Sequence, residues 1–158
     1  MEKFEPIKCE HCSQSVTYLL PIDRGTVDIV KAIAVAIKIK GINAIHPRKE
    51  IEGKSLTSNQ VGNLSRPRFH GLIAKIEGEK GNYCLTRKGL EFLNGAMIPK
   101  YAIINKSTGS QEGYWNEDTF QVRMKDFTSD DEYWEGVGYE IVEGGIILSK
   151  DPNQPELI

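Results

Sequence analysis

The sequence predicts an α+β fold. Three observations carry that prediction. A long apolar stretch of helical length is bounded by cap residues. A shorter amphipathic segment runs directly into a glycine-closed hairpin and another capped helix. The C-terminal third is made of short alternating runs rich in aromatic and β-branched residues. At 158 residues the chain fits one domain, or one domain with a small appendage. Hydrophobic content of 39% and charged content of 27% are ordinary for a soluble globular chain, which argues against a disordered one. No apolar run reaches the ~18 residues that a membrane span requires. The start, Met1-Glu-Lys-Phe-Glu-Pro6, lacks a basic-then-apolar signal pattern, so a cytoplasmic location and no membrane partner are expected.

The elements follow in chain order. Residues 1–25 form a short N-terminal piece around Cys9-Glu-His-Cys12, with Pro21 and Gly25 bracketing a turn. Thr26 is positioned to cap a helix to about Lys40, and Gly41 follows its end. Val27, Ile29, Val30, Ile33, Ala34, Val35, Ala36, Ile37 and Ile39 leave that helix little polar surface, so it belongs at a domain centre or in a homodimer interface. Its β-branched residues lower intrinsic helix propensity, so burial must hold it. Pro47 suits the first position of a second helix, from His46 or Pro47 to about Glu52, closed by Gly53. Thr57 caps a third helix.

At about 100° per residue, residues 58–72 separate into two faces. Val61, Leu64, Phe69 and Leu72 share one, and Asn59, Asn63, Arg66 and His70 share the other. Pro67 and Gly62 interrupt this helix, because proline removes a hydrogen bond. Either the helix kinks there or it restarts at Ser65 with Pro67 in its first turn. Leu72–Glu77 and Asn82–Leu85 read as strands joined by Gly78-Glu-Lys-Gly81. Thr86 caps a helix carrying Leu90 and Leu93 to the core, ended by Asn94-Gly95. Beyond Pro99, the runs 101–104, 119–124, 139–142 and 146–148 read as strands of a β-rich region over 99–150, and 151–158 as a frayed tail.

The net charge of −2 conceals an asymmetry. Residues 38–99 carry 11 basic and 5 acidic groups, a net +6, whereas residues 100–158 carry 5 and 12, a net −7. A basic segment beside an acidic one suggests two units with different partners, the basic one suited to a polyanion.

The run Phe69-His-Gly-Leu-Ile, a glycine-bearing loop, Tyr83-Cys-Leu-Thr and Lys88-Gly-Leu-Glu-Phe-Leu93 resembles the second half of a winged helix-turn-helix domain, and is similar to bacterial regulators of the MarR and PadR type. The resemblance covers about residues 26–95, and the winged helix-turn-helix domain it implies spans 26–98. It implies that the helix over 57–70 enters the major groove and that the hairpin contacts phosphate or the minor groove. Asn can bridge adenine edges and Arg guanine, so Ser58, Asn59, Asn63, Arg66, Arg68 and His70 become candidate DNA contacts. Lys80 at the hairpin tip and Arg87 and Lys88 at the next helix start are candidate phosphate contacts. The expected function is duplex DNA binding by a small bacterial or phage-type transcriptional regulator. The alternative is a protein-interaction adaptor on the same scaffold, with residues 99–150 as the surface for a protein partner.

Cys9-x-x-Cys12 has the spacing of half a zinc site, and these two thiols are the candidate metal ligands. Zinc would need two further ligands, from Cys84, a histidine or a second subunit; two reduced thiols are the simpler reading. Cys84 fits a small buried hydrophobe better than a sensor thiol. Asp126, Asp130, Asp131, Glu132 and Glu135 lack calcium-loop spacing and read as a solvated loop, with a metal-dependent hydrolase as the weaker alternative. Trp115 and Trp134 fit core packing better than a ligand pocket. No nucleophile–base motif, P-loop or dinucleotide fingerprint is present, so no enzymatic activity is expected.

Overall fold

The computed structural model describes residues 3–40, 44–76 and 78–127, so the expected strands 139–142 and 146–148, most of the acidic cluster, Trp134 and the tail lie outside the described residues. The apolar segment forms the central helix α1, Arg24–Lys40. Its cap is Asp23, not Thr26. The backbone N–H and the hydroxyl of Thr26 both donate to Asp23 Oδ1 at 2.8 Å, and Thr26 itself is buried. A carboxylate at this position both accepts the open N–H groups and meets the positive end of the helix dipole.

Val27, Ile29, Val30, Ile33, Ala34 and Ile37 are buried against the rest of the same chain, in a core with Leu72, Leu85, Leu90 and Phe92. The apolarity of α1 is therefore satisfied within one chain, and it gives no reason for a homodimer through this helix. Each large side chain so buried contributes roughly 1.5–3 kcal/mol, which outweighs the modest propensity penalty of its β-branched residues.

Helix α2, Pro47–Glu50, starts on Pro47 and is capped by His46, whose Nδ1 accepts from the Lys49 N–H. The segment expected as one helix over 57–70 is two: α3, Ser58–Val61, and α4, Ser65–Phe69, with Pro67 in the first turn of α4. Pro67 has no N–H, and the Asn63 carbonyl instead accepts from Arg66, three residues on, at 3.1 Å. The Asn63 N–H likewise bonds three residues back, to Gln60. Such turns advance about 120° per residue rather than 100°, so residues beyond the break rotate off the face that a continuous helix would give them.

Strands β2, Ile73–Lys75, and β3, Tyr83–Leu85, pair antiparallel with Ala74 opposite Cys84. Ile45 adds a two-way backbone bridge to Tyr83, which links the segment before α2 to the hairpin. Helix α5, Arg87–Leu93, is capped by Thr86.

The N-terminal piece contains a strand that its sequence did not announce. β1, Thr17–Pro21, pairs along its whole length with β5, Tyr101–Asn105, and β5 pairs with β6, Gln111–Tyr114, in the order β1-β5-β6. Between α5 and β5, β4 (Ile98–Pro99) pairs with β7 (Gln121–Val122), and a 3-10 helix follows at Met124–Asp126. Residues 119–124, expected as one strand, thus form a two-residue strand and a helical turn. Ile98 and Met124 lie in the core around α1, while Leu20, Ala102 and Ile104 form a second cluster with Phe69 and Tyr114 packed on it. The N-terminal piece and the region after Pro99 are therefore joined by a sheet rather than standing apart. Among the described residues no helix is long and apolar enough to cross a membrane.

Candidate nucleic-acid interface

Helix α3 is built from its cap outward. Thr57 Oγ1 accepts the Gln60 N–H at 3.1 Å, and Gln60 Oε1 accepts the Thr57 N–H at 2.9 Å. This reciprocal pair satisfies two open donors and fixes where the helix begins. Val61 and Leu64 turn into the core, and Ser58 and Asn59 remain exposed. Asn63 is half-buried, and its side-chain amide donates back to the Asn59 carbonyl at 2.9 Å. The exposed cation Lys54 lies in the turn leading to α3 and was not among the sequence candidates.

Beyond the break the expected polar face is not realised. Arg66 Nη1 meets Asp23 Oδ2 at 3.2 Å, so its guanidinium sits on the cap of α1. Arg68 is half-buried; its guanidinium lies 5.2 Å from the centre of the Phe69 ring, and its Nε is buried without a hydrogen bond. His70 is fully buried, and neither ring nitrogen makes a hydrogen bond, although the Pro21 carbonyl is close enough to favour the charged form. Burial, reinforced by the positive charge of Lys88, pushes the His70 pKa down to about 4. A neutral, enclosed imidazole cannot read a base edge, so the expectation for His70 is corrected.

The hairpin presents a different surface. Gly78 and Gly81 adopt φ of +81° and +84°, turning the chain sharply, and Lys80 stands exposed between them. A Cβ on Gly81 would fall 2.3 Å from His46 Nε2, so the imidazole that caps α2 also lies against the hairpin tip. Lys75, Ile76, Glu79, Lys80 and Tyr83 line an open concavity of about 530 Å3 on this hairpin. Lys75 is exposed and carries a second cation along the strand. Its alternation against buried Ala74 is the signal that could have singled it out.

At the start of α5 the two adjacent cations differ in role. Arg87 is half-buried. Lys88 Nζ donates to the Tyr114 hydroxyl at 2.8 Å, 4.1 Å from the ring centre, and that hydroxyl donates on to the His70 carbonyl at 3.3 Å. Gln111 Nε2 similarly donates to the Phe69 carbonyl at 3.1 Å. Strand β6 thereby satisfies carbonyls at the end of α4 that have no partner within the helix. Lys88 is tied into this junction rather than standing open for phosphate.

Comparison with family models, characterised proteins and solved structures returned no match. Ser58, Asn59, Lys80 and Lys75 are exposed, Asn63 and Arg87 partly so, and Arg66, Lys88 and His70 are engaged elsewhere.

The two candidate metal ligands lie far from this face in the chain. Cys9 and Cys12 flank a tight turn, Cys9 half-buried and Cys12 exposed, whereas Cys84 is fully buried on β3 as a small hydrophobe. Among the described residues no group of three His, Cys, Asp or Glu side chains converges to hold a metal.

Proposed function

We propose that this protein binds duplex DNA through a winged-helix arrangement, with α3 as the element presented to the groove and the β2–β3 hairpin as the wing. The supporting observation is the order of parts. α1, the Ile45 bridge, α2, a capped α3, α4 and a glycine-turned hairpin follow one another, and the capped helix and the hairpin tip present Ser58, Asn59 and Lys80 to solvent. A net +6 over residues 38–99 adds a long-range attraction for a polyanion. Ser58 and Asn59 offer a hydroxyl and an amide, groups able to hydrogen-bond base edges. Lys80, with Lys75 and Arg87 behind it, offers charge for the phosphate backbone.

Binding of fluorescent duplexes measured against salt tests this reading. Affinity should fall steeply between about 50 and 200 mM salt, as counterion release requires. Lys80→Ala should weaken binding to all sequences alike, whereas Asn59→Ala should cost about 1–3 kcal/mol on a preferred site and less elsewhere. Arg66→Ala should have the smaller effect, because Arg66 is engaged with Asp23. Absence of binding to every duplex at about 50 mM salt would reject DNA as the ligand and favour the protein-adaptor alternative.

A further inference from the structure

The geometry points to a zinc ion held between two copies of this chain by Cys9 and Cys12 of each.

The segment carrying these cysteines is a folded hairpin. Lys8 bridges Ser15, the Cys9 N–H donates to the Gln14 carbonyl at 2.8 Å, and the Ser13 N–H donates to the Cys9 carbonyl at 2.9 Å. Ser13 takes φ of +61°, a left-handed conformation that non-glycine residues adopt rarely and that closes the turn directly after Cys12. The hairpin is anchored at its base, where the Ile7 N–H donates to Thr17 Oγ1 at 3.0 Å at the start of β1. Both thiols are thus carried by a turn fixed to the sheet.

The same turn aims donors at sulfur. The backbone N–H groups of Cys12 and His11 bear on the Cys9 sulfur. Donors so placed around a ligand sulfur are outer-shell contacts that orient it for a metal.

Two ligands do not make a structural zinc site, which takes four. The chain has three cysteines and three histidines. Cys84 and His70 are fully buried elsewhere, His46 caps α2 through Nδ1, and His11, exposed in the turn between the two cysteines, forms no three-ligand group with them. Among the described residues no third ligand joins the pair, and residues 128–158 contain neither cysteine nor histidine. The soft donors that match Cys9 and Cys12 are therefore those of a second copy, and Cys12 is exposed for such an approach. Assembly would form four zinc–sulfur bonds and release the four thiol protons to solvent.

Untagged protein purified under reducing conditions and titrated with Co2+ tests this. Expected is an endpoint at half an equivalent per chain, with the charge-transfer and ligand-field bands of a tetrahedral four-thiolate cobalt site. The molar mass should double with metal and return to that of one chain on chelation. Cys12→Ser should abolish the bands and the mass increase while far-UV circular dichroism stays unchanged. Any of three results overturns it: an endpoint at one equivalent in a monomer, a folded reduced protein that takes up no metal, or a dimer indifferent to chelator. Duplex binding by the monomer of the serine variant would be retained if the DNA reading holds, so the two can fail separately.

Discussion

His70 shows how one residue's role depends on where its neighbours put it. Its ring is buried, and Lys88, the Pro21 carbonyl, Asp23 and Arg66 all act on its charge. Burial keeps it neutral in the folded chain, with its pKa near 4 rather than 6.5. The unfolded chain binds the proton more readily, so stability is full above about pH 6.5 and falls as pH drops towards 4. The whole loss amounts to roughly 3 kcal/mol, at 1.36 kcal/mol per pH unit. Urea unfolding at neutral pH and near pH 4.5 should show that decline, and His70→Phe should flatten it. A midpoint as pH-dependent in the variant as in the parent would mean that other groups are responsible.

Thr86 belongs at the same scale. Its hydroxyl accepts the Gly89 N–H at 2.9 Å and donates to the Gly71 carbonyl, so one buried side chain both caps α5 and secures the base of the hairpin. Thr86→Ala leaves a buried donor and a buried acceptor without partners and should cost about 1–3 kcal/mol in denaturant unfolding. Thr86→Ser keeps both bonds and should recover most of that. Equal losses in the two variants would point to the lost methyl instead. The cap was legible in the sequence; the bond to Gly71 was not, because it joins residues whose contact depends on the hairpin folding back.

Among the elements, the helix starts were the most legible, because capping is local chemistry. Thr57, Pro47 and Thr86 lie where short-range pattern put them. The exception is α1, where the sequence pointed to Thr26 and the hydrogen bond from Thr26 to Asp23, three residues before it, shows that Asp23 is the cap. Helix α5 gives a case where local preference and packing oppose each other. Alanine at an exposed helical position gains about 1 kcal/mol over glycine. A Cβ on Gly89, however, would fall 2.1 Å from the Leu72 carbonyl oxygen, which is backbone and cannot swing aside. Gly89→Ala should therefore destabilise, by about 1–3 kcal/mol as overpacking does. A raised melting temperature in that variant would show that α5 can shift away from Leu72.

For the whole molecule, the decisive feature is the sheet β1-β5-β6, whose β1–β5 pairs join residues 80 to 88 positions apart in sequence. A boundary at residue 26, natural from composition, would remove β1, the Asp23 cap and Ile22 from the main core. It would also expose β5 as a new sheet edge, a template for aggregation. A chain shortened to begin at Thr26 should lose cooperative thermal unfolding, measured by circular dichroism, and should aggregate. Retention of the parent melting temperature would show that the helical core stands without its strand.

The sequence by itself determined the α+β class, the starts of α2, α3 and α5, the hairpin with its glycines and the need of α1 for burial. Each is encoded by residues within a few positions of one another, or by an apolar period that burial must satisfy. Only the tertiary structure decided which polar groups face outward. The three-residue turns around Pro67 rotate Arg66 onto Asp23 and His70 into the interior, and strand β6 captures Lys88 through Tyr114. A helical projection assumes one uniform rotation per residue and knows nothing of strands arriving from elsewhere. The exposed polar surface, Ser58 and Asn59 with Lys75 and Lys80 of the hairpin, is what remained after those long-range contacts had formed.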